Sequence, residues 1–244
     1  MSKLAGHVAV ITGGGSGVGK ATAALFLREG ATVVIAGRDA AKLAAAAAEL
    51  GQPDRVLAVP TDVTVNEQCL ALIVAATVAF GRVDILVNNA GTNIRDRSIR
   101  DLTPEAWDQM IAANLDGAFY CMKAVLPQMF DRKDGLIVNV VSVAGKRANP
   151  LGGAAYVAAK FGMGSLGLVL GNEEKDSGVR VSNIYPGEID TPILAARPKP
   201  LTDEQLALIL KPEDVAEAIL FVSTLPARAS VPELVLKPTA ATYW

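Results

Sequence analysis

The chain has 244 residues, 51% of them hydrophobic and 20% charged, with a formal net charge of −2. That length suits one α/β unit, and the apolar share is enough to bury a large core. Acidic and basic residues are interspersed, so no basic block points to nucleic acid and no polybasic stretch to anionic lipid.

Strand and helix patterns alternate along the sequence. A short apolar run over residues 7–12 predicts a buried strand, followed by a helix over 16–29 that Gly30 closes. A second strand covers 32–36. The alanine-rich stretch 40–50 predicts a helix capped by Asp39 and stopped by Gly51, its five alanines giving a thin face to lay against a sheet. A third strand (55–59), a helix (64–80) ended by Gly81, and a fourth strand (83–88) follow. Thr103 and Pro104 open a helical region, as cap and first residue, that runs with a break to about 132. A strand over 135–141, a long helix over 154–177 and a strand over 179–185 come next. Helices over 201–210 and 212–225 and a short strand over 233–236 complete the pattern.

Apolar strands each followed by a helix imply a parallel sheet covered on both faces. The expected fold is therefore α/β: a single-domain, Rossmann-like, doubly wound parallel sheet spanning 1–244. Ligands of such folds bind beyond the carboxyl ends of the strands. The proline-rich stretch Arg197-Pro198-Lys199-Pro200 reads as part of a surface loop or lid around 188–212, not a domain boundary.

Other chemistries are limited by inventory. His7 is the only histidine, which excludes a Ser-His-Asp triad and a histidine-based metal site. Cys69 and Cys121 are too few and too far apart for a disulfide framework or a zinc site, and read as two reduced thiols. Residues 1–6 lack the apolar run of a signal peptide, and no apolar stretch of spanning length is free of charges or helix breakers. The expectation is a cytoplasmic protein without nucleic-acid or membrane partners.

The turn Thr12-Gly13-Gly14-Gly15-Ser16-Gly17-Val18-Gly19 joins the first strand to the first helix. Its glycines tolerate positive φ and let a pyrophosphate approach the backbone, while the helix N-terminus offers free N–H groups. A glycine-rich turn alone can also be a tight strand–helix connection. Further along, Tyr156 and Lys160 stand four residues apart, on one face of the long helix, and Ser142 lies at the end of the preceding strand. A phenol has an ordinary pKa of about 10, and a nearby ammonium favours its phenolate, making it a usable acid/base for carbonyl reduction or alcohol oxidation.

The spacing T-G-x-x-x-G-x-G resembles the short-chain dehydrogenase/reductase family. Asp62-Val63, Asn88-Asn89-Ala90-Gly91, Asn114, Ser142, Tyr156, Lys160, Pro186-Gly187 and Thr191 match that family's further motifs in order. The resemblance implies an NAD(P)-dependent enzyme of the class acting on CH–OH groups (EC 1.1.1.-), with a small carbonyl or secondary alcohol as substrate. It implies cofactor contacts from Thr12, Gly13, Gly15, Ser16, Gly17, Val18 and Gly19, and from Asp62 and Val63 at the adenine. It implies others from Asn89, Ala90, Gly91, Tyr156, Lys160, Pro186, Gly187, Ile189 and Thr191. In the implied catalytic set, Tyr156 is the acid/base and Ser142 donates to the substrate oxygen. Lys160 holds the ribose, and Asn114 interrupts its helix to support a water relay. A homo-oligomer, tetramer or dimer, is also implied, and the small residues of the long helix (Ala154, Ala155, Ala158, Ala159, Gly162, Gly164, Gly167) suit close helix packing across a symmetric interface. Two other readings stand beside this one: a sugar-nucleotide epimerase or dehydratase, and a catalytically idle dinucleotide-binding regulator.

NADP(H) is the expected cofactor, with NAD(H) the alternative. Gly37 occupies the strand-end position where NAD-specific relatives carry an acid, and Arg38 can pair with a 2′-phosphate. Asp39 reads as a helix cap rather than a ribose ligand, whereas Ser16, where many NADP-using relatives are basic, points the other way. Glu188, Lys146, Arg147, Arg95 and Arg97 flank these motifs and read as surface charges, although the resemblance puts them near the pocket rim. The ending Pro232-Glu233-Leu234-Val235-Leu236-Lys237-Pro238-Thr239 is similar to that of a branch acting on β-hydroxy acids and serine.

Overall fold

The computed structural model describes residues 2–241. The apolar runs form strands β1 (Val8–Thr12), β2 (Thr32–Gly37), β3 (Val56–Pro60), β4 (Ile85–Asn88), β5 (Gly135–Val140), β6 (Val179–Pro186) and β7 (Glu233–Leu236). They make one seven-stranded parallel sheet in the order β3-β2-β1-β4-β5-β6-β7. β1, β4 and β5 are buried along their whole length, as continuous hydrocarbon runs between two helical layers should be.

Helices α1 (Gly17–Arg28), α2 (Ala40–Leu50) and α8 (Pro212–Ser223) cover one face; α3 (Asn66–Phe80), α5 (Gly117–Arg132) and α6 (Ala154–Glu173) cover the other. Alternate strand residues feed the two layers: Ala9, Ile11, Val33 and Ile35 enter the first, Val10, Val34 and Ala36 the second.

Local chemistry sets the element ends. The Asp39 carboxylate accepts from the Lys42 N–H at 2.9 Å and caps α2. Thr103 accepts from the Ala106 N–H at 3.2 Å above Pro104, opening α4 (Pro104–Ile111). Gly81, with φ 85°, ends α3 in the left-handed region. The expected break in the long helical region is a π-helical segment, Ala112–Asp116, between α4 and α5.

Three expectations need correction. Helix α7 is only Asp203–Leu208, not 201–210. Thr202 and Gln205 form a capping box there, and beyond the helix Leu210 turns extended, pairing with Ile189. α6 ends at Glu173 rather than 177, where the chain turns through Gly178 at φ 83°. The thin face of α2 is narrower than its composition suggests: Leu43 and Ala46 are buried, but Ala44, Ala45 and Ala48 are exposed.

β1 and β4 are neighbours, yet the chain leaves them toward opposite edges of the sheet. Their carboxyl ends therefore open a crevice, into which the β1–α1 turn, the β4–α4 loop and the ends of β5 and β6 converge.

Candidate active site

The crevice begins at the glycine turn. Thr12 is buried at the end of β1, where its Oγ1 accepts the N–H groups of Asn89 and Ala90, both at 3.0 Å, and donates to the Val87 carbonyl at 3.4 Å. The Asn89 amide donates back to the carbonyls of Thr12 at 2.9 Å and Gly13 at 3.3 Å. Thr12 and Asn89 thus lock the two diverging strand ends together. Gly13, at φ 66°, leaves no room for a side chain: a Cβ would stand 2.8 Å from the Asn89 amide. Gly19 is shut in the same way by the Gly13 carbonyl, 2.4 Å from a Cβ. Ser16 precedes α1 without a side-chain cap, so the first N–H groups of that helix have no side-chain acceptor there and could meet an anion.

Across the crevice, Thr191 leans on the turn, its Cγ2 standing 3.1 Å from where a Gly17 Cβ would be. The same segment is anchored at its base. Ile189 bridges Leu210, the Asp190 N–H donates to the Leu210 carbonyl at 2.8 Å, and the Leu210 N–H donates to the Glu188 carbonyl at 3.0 Å.

A cavity of about 490 Å³ runs from Gly13, Ser16, Gly17 and Val18 past Asn89, Ala90 and Gly91 to Ser142, Tyr156 and Lys160, with Asn114 and the Pro186–Thr191 segment as further walls. Of the predicted set, Thr12, Gly15, Gly19, Arg38, Asp62 and Val63 stay outside it. Thr12 and Gly19 are structural. Arg38 is exposed and forms no ion pair or hydrogen bond among the described residues. One oxygen of Asp62 accepts from the backbone N–H and hydroxyl of Thr64, at 3.0 and 2.8 Å.

α6 carries Tyr156 and Lys160 one turn apart. Lys160 is 3% exposed, and its ammonium donates to the Val140 carbonyl at 2.9 Å, 5.8 Å from the Tyr156 ring centre. Burial lowers its pKa to about 7. Burial likewise pushes the Tyr156 phenol above its ordinary value, against the lowering influence of a hydrogen bond from Ser142 and of the Arg97 charge. The expected lowering by Lys160 is therefore not what this geometry gives, because desolvation acts on both groups at once. Asn114, in the π segment, is 1% exposed. Its Oδ1 accepts from the Thr92 N–H at 3.0 Å, and its amide donates to the carbonyls of Thr92 at 3.0 Å and Met110 at 2.9 Å. A Cβ on Gly91 would lie 2.8 Å from Asn114 Oδ1 and 3.7 Å from Lys160 Nζ, so a glycine keeps open the space between them.

α6 sits on a polar floor that sequence reasoning missed. The Asn88 amide donates to Asn139 at 3.0 Å, Asn139 to Asn183 at 2.9 Å, and Asn183 to the Gly164 carbonyl at 3.0 Å. The three asparagines share one register across β4, β5 and β6. The available signal was an asparagine near the end of three separate apolar runs.

The flanking charges sort differently from expectation. Arg97 is no surface charge: it is 9% exposed, lines the cavity, and donates to the carbonyls of Leu151 at 2.9 Å and Ala196. Glu188 pairs with Arg197 at the cavity wall. Lys146 pairs with Glu233 and lies over the Tyr185 ring, 4.5 Å from its centre. Arg95 and Arg147 are exposed. The small residues of α6 also divide: Ala155, Ala159, Gly164 and Gly167 are buried toward the protein's own core, Ala154 and Gly162 are half-buried, and Ala158 is exposed, as are the larger Phe161 and Val169.

The residues present fit a dinucleotide. Two glycines sit where side chains would collide, a helix N-terminus is left uncapped, and the cavity leads from both to a tyrosine–serine pair. A sequence profile described as short chain dehydrogenase matches residues 7–201. An uncharacterized oxidoreductase of Staphylococcus aureus strain USA300 is 39% identical over 98% of this chain and 100% of its own length. The crystal structure of 3-ketoacyl-(acyl-carrier-protein) reductase from Brucella melitensis, complexed with NADH, superposes with a TM-score of 0.88 at 32% identity, covering 96% of this chain and 98% of that one. The closed form of a serine dehydrogenase complexed with NADP+ also gives 0.88, at 30% identity, covering 97% and 96%.

Proposed function

This chain belongs to the short-chain dehydrogenase family, and from that premise we propose that it is an NADP(H)-dependent oxidoreductase of small carbonyl compounds and secondary alcohols, with Tyr156 as its acid/base. The observation that carries the reading is the continuity of one cavity from the glycine turn to Ser142 and Tyr156. A nicotinamide dinucleotide held along it would supply hydride to a carbonyl carbon, or accept it from an alcohol.

The protein's own part is proton transfer and orientation. Ser142 Oγ, just after β5, would donate to the substrate oxygen. The Tyr156 phenol, held above its ordinary pKa, is protonated at neutral pH and so ready to donate to a nascent alkoxide. Lys160 and Asn114 line the route by which Tyr156 would recover its proton, on either side of the space at Gly91. The test is Tyr156→Phe, which keeps the ring and removes the proton. Carbonyl-dependent loss of nicotinamide absorbance should fall by about 10²–10⁴-fold, with cofactor affinity by fluorescence titration unchanged. Turnover at the wild-type rate would sink the assignment.

The preference for NADP(H) rests on Arg38, an exposed guanidinium with no partner, beside Gly37, which carries no acid to repel a 2′-phosphate. One neighbour named above is complexed with NADH and the other with NADP+, so both dinucleotides occur among similar structures. Arg38→Ala should lower kcat/KM for NADPH by about 10-fold or more and leave NADH unaffected; an unchanged ratio would refute the role of Arg38.

We infer that it works as a homo-oligomer in the cytoplasm. The support for assembly is the exposed Phe161 and Val169 on α6 with Phe119 on α5, since most of the small residues of α6 are buried or half-buried. Light scattering at micromolar concentration decides it, and a monomer mass would overturn it. The C-terminal resemblance extends the substrate class to 3-hydroxy acids.

A further inference from the structure

Among the described residues Arg97 and Lys160 line the cavity without an acidic partner, and of the two only Lys160, its pKa lowered to about 7, can shed its charge. Arg97 follows the Asn89–Gly91 segment, with its aliphatic stem laid on Gly153: a Cβ there, at φ 81°, would be 2.5 Å from the Arg97 Cβ. Its head donates to two backbone carbonyls, those of Leu151 and Ala196. The buried Nε–H has no hydrogen-bond partner. No acidic side chain among the described residues pairs with it. Arg197, the neighbouring guanidinium, differs, because Glu188 neutralises it. Burying an arginine without a counter-charge is costly, and it cannot escape by losing its proton. Two neutral carbonyls satisfy part of its hydrogen bonding and none of its charge. The cavity wall beside Tyr156 therefore carries a positive charge that no acidic side chain among the described residues balances, and an anionic ligand could.

We propose that Arg97 receives the carboxylate of the substrate, so that the enzyme acts on small oxo- and hydroxy-acids whose reacting carbon lies at Ser142 and Tyr156. This rests on the reading of Tyr156 as acid/base, and it adds to it the anion site that sets substrate class. A guanidinium fixed by its stem and two carbonyls is preorganised for a planar carboxylate and loses little side-chain entropy on binding one. Its links to Leu151 and Ala196 also suggest an alternative role, that of a clamp between the loop before α6 and the loop after Thr191.

The experiment separates the two. Acetoacetate and its methyl ester present the same ketone with and without the charge. Wild-type enzyme should favour the acid. In Arg97→Met, the ratio of kcat/KM for acid over ester should fall by roughly 10- to 100-fold, the usual loss when a charged hydrogen-bond partner is removed, beyond any change common to both substrates that follows from losing the Arg97 charge near Tyr156. Arg97→Lys should recover part of the preference. In parallel, malonate should raise Tm of the wild-type protein saturated with NADP+, and not that of Arg97→Met. The proposal is overturned if wild type treats acid and ester alike, if both substrates fall by the same factor in Arg97→Met, or if malonate stabilises both proteins equally. Should no carbonyl compound be reduced at all, the oxidoreductase reading fails for these substrates, and the malonate measurement alone decides the anion site.

Discussion

The two faces of the sheet are built from different materials. The face under α1, α2 and α8 is mainly hydrocarbon, with Phe26, Leu27, Ile35, Leu43 and Ile219 at its centre, and its buried hydroxyls on α1 and α8, Thr22 and Ser223, bond to carbonyls of their own helices. The face under α3, α5 and α6 also has a hydrocarbon core, but its strand residues end in the asparagine ladder, and buried Lys160 and the tyrosine Tyr185 are set among its apolar groups. A hydrocarbon layer is tolerant, because apolar shapes can repack. A buried polar layer is not, because each amide needs its partner. The site stands on the layer that cannot slide, which is what proton transfer between fixed groups requires.

Phe26→Ala on the hydrocarbon face should cost about 3–5 kcal/mol of stability by denaturant unfolding, yet leave kcat of the folded fraction near wild type. Asn139→Ala on the polar face should cost about 1–3 kcal/mol for each amide it orphans, on Asn88 and Asn183, and should also reduce kcat. Equal effects on kcat from both variants would erase the distinction.

Lys160 makes the polar layer sensitive to pH. Its folded pKa of about 7 lies below the unfolded value of about 10.4, so between these limits the unfolded chain binds the additional proton. This group's contribution therefore makes stability rise with pH across that window, by up to about 1.4 kcal/mol per unit. Lys160→Met should remove that slope in urea titrations from pH 7 to 10; a slope identical to wild type would show that Lys160 is not desolvated as described.

The finest probe compares two glycines of α6. A Cβ at Gly167 would lie 2.2 Å from Asn183 Oδ1 and 2.6 Å from Asn139 Nδ2, so Gly167→Ala must lift the helix off the ladder, at about 1–3 kcal/mol. At Gly171 the nearest atom is Val181 Cβ at 3.6 Å, an ordinary contact, and Gly171→Ala should stabilise by about 0.5–1 kcal/mol. Thermal melting of both variants reads the pair, and similar behaviour would mean that α6 has slack above the ladder.

What could be read in advance follows the same division. Strands, sheet type and helix caps rest on neighbours a few residues apart, so Asp39, Thr103 and Gly81 announced themselves. So did the glycine turn, through its spacing. The burial of Arg97 did not, because its partners Leu151 and Ala196 are 54 and 99 residues away. The asparagine ladder was hidden for the same reason: its members meet only once parallel strands are in register. The π segment around Asn114 was visible only as an implied interruption, since nothing in 112–116 breaks a helix by composition.

The pinned base of the segment after β6 has a consequence for how such a protein can change. Backbone groups of Ile189, Asp190 and Glu188 pair with Leu210, so the segment closes on itself at its base, while Arg97 holds its Ala196 carbonyl from outside. The entropy of closing such a loop grows slowly with its length, by about 0.6 kcal/mol for each doubling. Residues can therefore be added or exchanged between Asp190 and Leu210 at little thermodynamic penalty to the sheet. That interval carries Thr191, Pro192 and Arg197 on the cavity wall. Substrate range is thus the trait this architecture leaves easiest to rewrite, as an interchangeable cassette on a chassis that stays the same.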